Sequence, residues 1–461
     1  MSLRRRAACL LVLLVLITAF STVSAPSHTS PLLQLNSQPA SSEQHLAFID
    51  PAILQMKGEQ GTLSVIVVFN VNPEEGCTAL KKASGNVVVE KVYSLIPAAL
   101  VEIPLNDVFK IARLPEVESI WLNRNVKLSS EEGSKDGEGD TATVNVSQIW
   151  SEGYNGSGVI VAVLDSGIDT SHPDLDDLDD DPSTNDSKVI ASVSMVDYDP
   201  FPYDFNGHGT YVAGVVAGTG EASEGKYKGV APGAMLMNVK VFDVEGFSLY
   251  SWILSGVEWS VSHGADVILI PFSIPGLPDD PLCLAVDAAV RMGVTVVAAS
   301  GDEGPAYMSI GSPGSALGAI TVGAYNSSSG RVCTISGRGP TLYMWMKPDV
   351  VAPGCNVVSC RASPPDVGIN ISIPQFNLSG YGTPIDENYT VATTTAAAAA
   401  YVAGVSALLL QAFRCASPET IKISLLKTAS DLGESLNVQG SGLVNPESAY
   451  YYLKGGGGEA L

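Results

Sequence analysis

An aspartate and a histidine, each in a short glycine-marked stretch, carry the most legible chemistry of this chain. Asp165 closes the apolar run VIVAVLD and is followed by Ser166-Gly167, and His208 stands in NGHGTYVAGVVAG. A carboxylate that accepts from one imidazole nitrogen leaves the other to act as a general base, the arrangement that activates a hydroxyl for hydrolysis. Such chemistry needs a third group. The later run TTTAAAAAYVAG, Thr393 to Gly404, holds no serine.

The elements that must position these residues follow from apolar patterning. From about Val144, continuous apolar strands at 159–165, 235–242, 266–272, 294–300 and 319–324 alternate with helical stretches such as HGTYVAGVVAG and 248–264. This pattern predicts an α/β fold, a parallel sheet with helices on both faces. Functional residues in such sheets gather at the carboxyl ends of strands. Asp165 ends one strand, and Asp302 follows another by two residues. Ahead of this body, 62–69 reads as a strand and 86–104 as two strands broken at Ile96-Pro97. Asn106 to Leu114 reads as a helix and 117–123 as a last strand. Together they make a small α+β module of βαβ type over 62–128. The acidic, glycine-bearing stretch 129–143 lacks apolar periodicity and marks the boundary to the main domain, 144–454, with a tail at 455–461.

At 461 residues with 46% hydrophobic content, the chain is long enough for one large domain and a small one. A formal net charge of -23 excludes nucleic acid as an expected partner, because phosphate would repel it. Arg4, Arg5 and Arg6 precede an apolar run to Phe20, and Val23-Ser24-Ala25 offers a cleavage site. Residues 1–25 therefore read as an export signal, with retention as an uncleaved anchor the alternative, and 26–61 as a polar linker. No second apolar stretch is expected to reach the roughly 18 residues of a membrane span. The expected location is extracellular or in the cell envelope. Sequons at Asn145, Asn155, Asn185, Asn326, Asn370, Asn377 and Asn388 fit an exported glycoprotein. The cysteines beyond the signal permit disulfides, Cys355/Cys360 being a local possibility, whereas spacing disfavours zinc.

Asp165-Ser166-Gly167, His208-Gly209-Thr210 and Val402-Ala403-Gly404 occur in the order Asp, His, nucleophile block. With KGVAPGA (228–234), AASGDEGPA (298–306), SGRGPT (336–341) and KPDVVAPG (347–354), the chain resembles the subtilisin-like serine proteases over roughly 144–452. The module at 62–126 is similar to that family's inhibitory, chaperoning propeptide. The resemblance implies a subtilisin-like fold, with His208 as general base and Asp165 as its orienting partner.

The resemblance also exposes three departures. The family's G-T-S-M-A-x-P-H-V-A-G, laid on 394–404, places Ala396 where the serine belongs, and a methyl group has no lone pair with which to attack a carbonyl. The family's oxyanion-binding Asn after Gly301 is Asp302, which accepts when ionised and donates only when protonated. The family's substrate edge becomes Leu269-Ile270-Pro271-Phe272-Ser273, with Pro275 beyond, and proline has no N–H for an extended peptide. Rescue by Thr395, or by a threonine in a shifted register, is not the expected reading, since one residue of slip on a helix turns a side chain by about 100° away from His208.

The expected function is that of an exported pseudoprotease that binds peptide or its own propeptide-like module in the cleft. Asp165 and His208 would then persist as a buried structural pair. Two alternatives are an active secreted endopeptidase with a non-standard nucleophile and a cell-surface structural module. No cofactor is required. Structural calcium is a possibility at Asp176, Asp179 and Asp181, although the loop lacks a calcium-loop pattern and equally suits a solvated acidic turn. His172 and His263 read as ordinary surface or loop histidines.

Overall fold

The computed structural model describes residues 45–56, 61–128, 140–141, 146–181, 183–184, 186–363 and 381–457. The chain divides into two units, Met1–His45 and Leu46–Leu461, and the elements named below all belong to the second. The export signal, most of the 26–61 linker and most of the 129–143 boundary lie outside the described residues, as do the sequons at Asn145, Asn185, Asn370 and Asn377.

The N-terminal module is a five-stranded sheet backed by helices. Its elements are β1 (Phe48–Ile49), α1 (Pro51–Gln55), β2 (Thr62–Phe69), α2 (Pro73–Ala83), β3 (Val88–Val92), β4 (Ala98–Pro104), α3 (Val108–Ile111) and β5 (Val117–Leu122). The strand order is β1-β5-β2-β4-β3, antiparallel except for the parallel β1–β5 pair. Period-two alternation gives β2 two apolar faces. Val65 and Val67 pack with Leu80 of α2, while Ile66 and Val68 pack with Ile253 and Leu254 of the main body.

Two expectations for this region need correction. Residues 47–55, expected as linker, form β1 and α1, and Ala47, Ile49 and Ile53 are buried in the module core. Helix α2 has no counterpart among the elements expected from sequence. Its signals are nevertheless local: Asn72 caps Glu74 N–H, Pro73 opens the first turn with Glu74 and Glu75, and Lys81 and Lys82 close it.

The main body is an eight-stranded sheet. At the end of the module, β6 (Asn125–Lys127) leads toward it. The body's own elements are β7 (Ile160–Asp165), β8 (Val189–Ser194), α4 (His208–Ala217), β9 (Met235–Lys240), β10 (Phe247–Leu249), α5 (Tyr250–Ser262), β11 (Val267–Ile270), α6 (Pro281–Arg291), β12 (Thr295–Ala299), β13 (Ile320–Asn326), β14 (Val350–Pro353) and α7 (Thr395–Ala412). Seven strands run parallel in the order β8-β9-β7-β11-β12-β13-β14, and Arg331–Val332 adds an antiparallel edge. The strands expected from sequence all form, and β8 and β14 add to them.

Helix α7 corrects the expectation about apolar stretches. Its 18 residues have a mean hydropathy of 1.5, long and apolar enough for a span, but 83% are buried inside the fold. It is the central core helix, and its alanines let it lie close against the sheet. A second correction concerns cysteine: Cys333 pairs with Cys355, while Cys360 is a buried free thiol.

The module docks on α5. Glu258 accepts from Ser94 N–H, from Ser94 Oγ at 2.8 Å and from Leu95 N–H at 3.1 Å, with Lys91 Nζ 3.3 Å away. Burial alone would raise the Glu258 carboxyl, but these donors outweigh it and hold it below its usual 4.5. A carboxylate depressed in this way stabilises the docked state above its free pKa and loses that contribution as pH falls through the lowered value. Docking is therefore expected to weaken as pH falls below the usual carboxylate range. Exchange protection of the Leu95 amide checks this, and Glu258→Gln should flatten the profile.

Candidate active site

Asp165 is the last residue of β7 and His208 the first of α4, so a strand end meets a helix start. The turn into α4 requires Gly207, whose φ of 96° lies in the left-handed region. Asp204 ties this turn: its Oδ1 accepts from Gly207 N–H (2.7 Å) and Ser166 Oγ (2.9 Å), and its Oδ2 from Thr210 N–H and Oγ1 (2.8 and 2.6 Å). Burial raises the Asp204 carboxyl against the pull of these donors. Gly209 has no room for a Cβ, which would meet the carbonyl of Gly167, so the helix approaches the strand closely. The result is a buried pair, with His208 Nδ1 2.7 and 2.8 Å from the two Asp165 oxygens. That contact fixes Nδ1 as the donor and leaves basicity at Nε2. The ring of Tyr381 stands edge-on to the imidazole at 4.7 Å.

The opposite wall is the start of α7. Thr394 is its N-cap and accepts Ala396 N–H at 3.0 Å, while the Thr394 hydroxyl donates to Asp302 Oδ2 at 2.8 Å. Asp302 Oδ1 accepts Thr395 N–H at 2.8 Å. A helix N-terminus presents unpaired N–H groups that suit a developing oxyanion. Here those at Thr395 and Ala396 are already taken by acceptors of the protein itself. Burial raises the Asp302 carboxyl, while Thr395, Thr394 and the charge of His208 pull it down. Ala396 is 1% exposed, so its methyl is a core contact.

The protein's own chain runs along the cleft. Strand β6 pairs antiparallel with β10, and Leu128 N–H donates to Gly246 O at 2.9 Å. Val126 is buried in one cluster with Phe242, Tyr250 and Phe272. Leu128, His208, Asp302, Tyr381, Thr394 and Thr395 line what remains, a cavity of about 20 Å³. That is room for about one water. Pro271 on the other side follows directly on β11 and lines the same cavity without an N–H to offer.

Asp176, Asp179 and Asp181 are turned onto their own loop. Asp176 Oδ1 accepts Asp177 N–H, Asp179 Oδ1 accepts Asp181 N–H, and Asp181 Oδ1 accepts both Ser183 N–H and its hydroxyl. These are local aspartate turns. Among the described residues, His172, Asp174 and Cys360 bring ligand-type atoms within 4.8 Å of one another. Asp174 N–H donates to His172 Nδ1, His172 Nε2 meets Asn388 O, and Tyr389 and Ala222 donate to the Asp174 carboxylate. Both ring nitrogens and the carboxylate already have partners within the protein. His172 is thus a buried core histidine rather than a surface one, whereas His263 is exposed and stacked on Trp259.

Residues 156–442 match the model of the subtilase family (Peptidase_S8). The chain belongs to the subtilase family. It is 33% identical over 359 residues to "Serine protease AprX" of Bacillus subtilis (strain 168), covering 74% of this chain and 75% of that one. It is 36% identical over 304 residues to subtilisin E of the same strain, covering 65% and 68%. Among solved structures it is similar to fervidolysin from Fervidobacterium pennivorans, with TM-score 0.67 and 23% identity, covering 89% of this chain and 64% of that one. The subtilisin-like α/β fold is therefore shared.

Within this subtilase, the geometry brings Asp165 and His208 together and sets Asp302 against the residues that lead into Ala396. Three functional positions emerge only from the structure: Thr394 as the cap that holds Ala396 N–H, Asp204 in the turn, and Leu128 in the cleft. Thr394 carries a signal, a threonine two residues before an alanine run, a residue type that favours a helix cap.

Proposed function

We propose that this subtilase is an exported pseudoprotease that binds rather than cuts, and that its cleft holds its own N-terminal module. One observation carries the reading. At the start of α7 the nucleophile position is Ala396, and the adjoining N–H donors are held by Asp302 and Thr394. Both the attacking atom and the site for developing negative charge are absent for this reason. The pairing of β6 with β10 and the placement of Leu128 beside His208 support an occupied cleft. The retained Asp165–His208 contact supports the fold, as a buried pair in which His208 Nδ1 donates to the Asp165 carboxylate.

Export rests on the arginine-led apolar N-terminus and glycosylation on the sequons, of which Asn155 is exposed and Asn326 is the last residue of β13. A subtilase that cannot cut should leave the chain joined through 129–143. Intact mass of the purified protein tests this, with His208→Ala alongside. The expected result is one continuous chain in both. A cut in the parent that disappears in His208→Ala would establish an active endopeptidase instead.

A further inference from the structure

The short elements β1 and α1 lie far in sequence from the cleft, yet one side chain connects them to it. Asp50 follows β1 directly and is 4% exposed. Its Oδ1 caps α1 by accepting Ala52 N–H at 3.0 Å, and its Oδ2 accepts Leu122 N–H at 3.2 Å. The same Oδ2 lies 3.4 Å from the Arg124 guanidinium. Arg124 is the residue before β6, and it touches both walls of the cleft. Its NH1 donates to Pro275 O at 3.2 Å, beyond the end of β11. Its guanidinium stands 5.5 Å from the Tyr250 ring centroid, and its carbonyl accepts Tyr250 N–H at 3.1 Å.

We infer that residues 47–55 form a clasp in which Asp50 is a positioning residue for Arg124, and that this clasp governs how long 125–128 stays in the cleft. The inference rests on the self-occupied cleft proposed above and names what regulates it. An arginine held by a carboxylate at one nitrogen is pre-oriented to donate with another, so less rotamer freedom is lost when it bridges the walls. Without Asp50, Arg124 keeps its charge but not its direction. The strand would still fit β10, but it would open more often.

Amide hydrogen exchange on the full chain tests this, because the Leu128 and Tyr250 amides report β6 leaving the cleft. Asp50→Asn keeps an N-cap acceptor for α1 while removing the charge that orients Arg124. The expected result is exchange at Leu128 and Tyr250 about ten-fold faster than in the parent, or more, with Val65 and Val67 unchanged. Arg124→Gln, which leaves both backbone contacts of Asp50 in place, should give the same pattern. It decides the matter if Asp50→Asn loosens the whole module. Protection at Leu128 and Tyr250 in the parent, unchanged in both variants, would overturn the clasp alone. Free exchange at Leu128 in the parent would overturn the occupied cleft, and the clasp with it.

Discussion

Ala396→Ser alone is expected to leave the protein without measurable peptidase activity, whereas Ala396→Ser combined with Asp302→Asn should restore slow turnover. The reasoning is geometric. A serine at position 396 would supply a hydroxyl next to Thr394 and Thr395, which share a cavity with His208, but the Asp302 carboxylate would still hold Thr395 N–H and face the developing oxyanion with negative charge. An asparagine amide at 302 can donate where the carboxylate accepts. One oxyanion donor is worth about 10² to 10³ in turnover, and removal of the serine in subtilisin itself costs about 10⁶. The double variant should therefore exceed the single one by about 100-fold or more. Hydrolysis of a fluorogenic peptide, measured after a trace protease has opened the 129–143 segment, reads the difference. Equal rates in the two variants would show that Asp302 does not close the site.

The second large effect is expected from Val126→Asp. Val126 lies among Phe242, Tyr250 and Phe272, with 6% exposure, in an apolar cluster. Burying that charge costs about 3 kcal/mol or more, so the variant should expel β6 rather than accommodate it. Opening of the 125–128 segment should rise by about 100-fold, since every 1.4 kcal/mol is a factor of ten. Limited proteolysis within 125–128 is the measurement. The module itself should stay folded, because its own core of Val65, Val67, Leu80, Val101 and Ile120 lies on the other face of the sheet. Unchanged cleavage would mean that β6 contributes little to holding the cleft closed.

Much of the architecture is legible in the sequence because the central strands are buried on both faces. VIVAVLD, DVILIPF and VTVVAAS have no polar alternation, and that is the signature of a parallel sheet between helix layers. Asp165 and His208 are equally visible, since each is framed by glycines that the close approach of strand and helix demands. Strand β8 is hard to see because VIASVS alternates weakly and sits at the sheet edge. Elements β1 and α1 are hidden in a polar stretch in which a few apolar residues, Ala47, Phe48, Ile49 and Ile53, reach a core. Other features depend on contacts across long stretches of chain. Asp302 meets Thr395 over 93 residues, and Arg124 meets Pro275 over 151. Residue types alone show that Asp302 cannot donate when ionised, but not that it occupies the donors of α7. The Cys333–Cys355 pairing is of the same kind, set by β13 lying beside β14 rather than by spacing.

On the proposed reading, the Asp165–His208 pair and Ala396 at the nucleophile position describe a scaffold kept without its chemistry. Its buried carboxylates are either hydrogen-bonded to backbone donors, as Asp204 and Asp302 are, or paired with an imidazole, as Asp165 is. Such a network rigidifies the cleft, because every polar atom in it is expensive to leave unpaired. A rigid cleft suits binding.

Labelling with a fluorophosphonate probe tests the central claim most directly, since the probe reacts with an activated hydroxyl nucleophile. The full chain, and the chain after a trace protease has opened 129–143, should both remain unlabelled, while the Ala396→Ser, Asp302→Asn double variant should label once opened. Stoichiometric labelling of the parent protein that is lost in His208→Ala would contradict the account, and would place a working nucleophile within reach of that histidine.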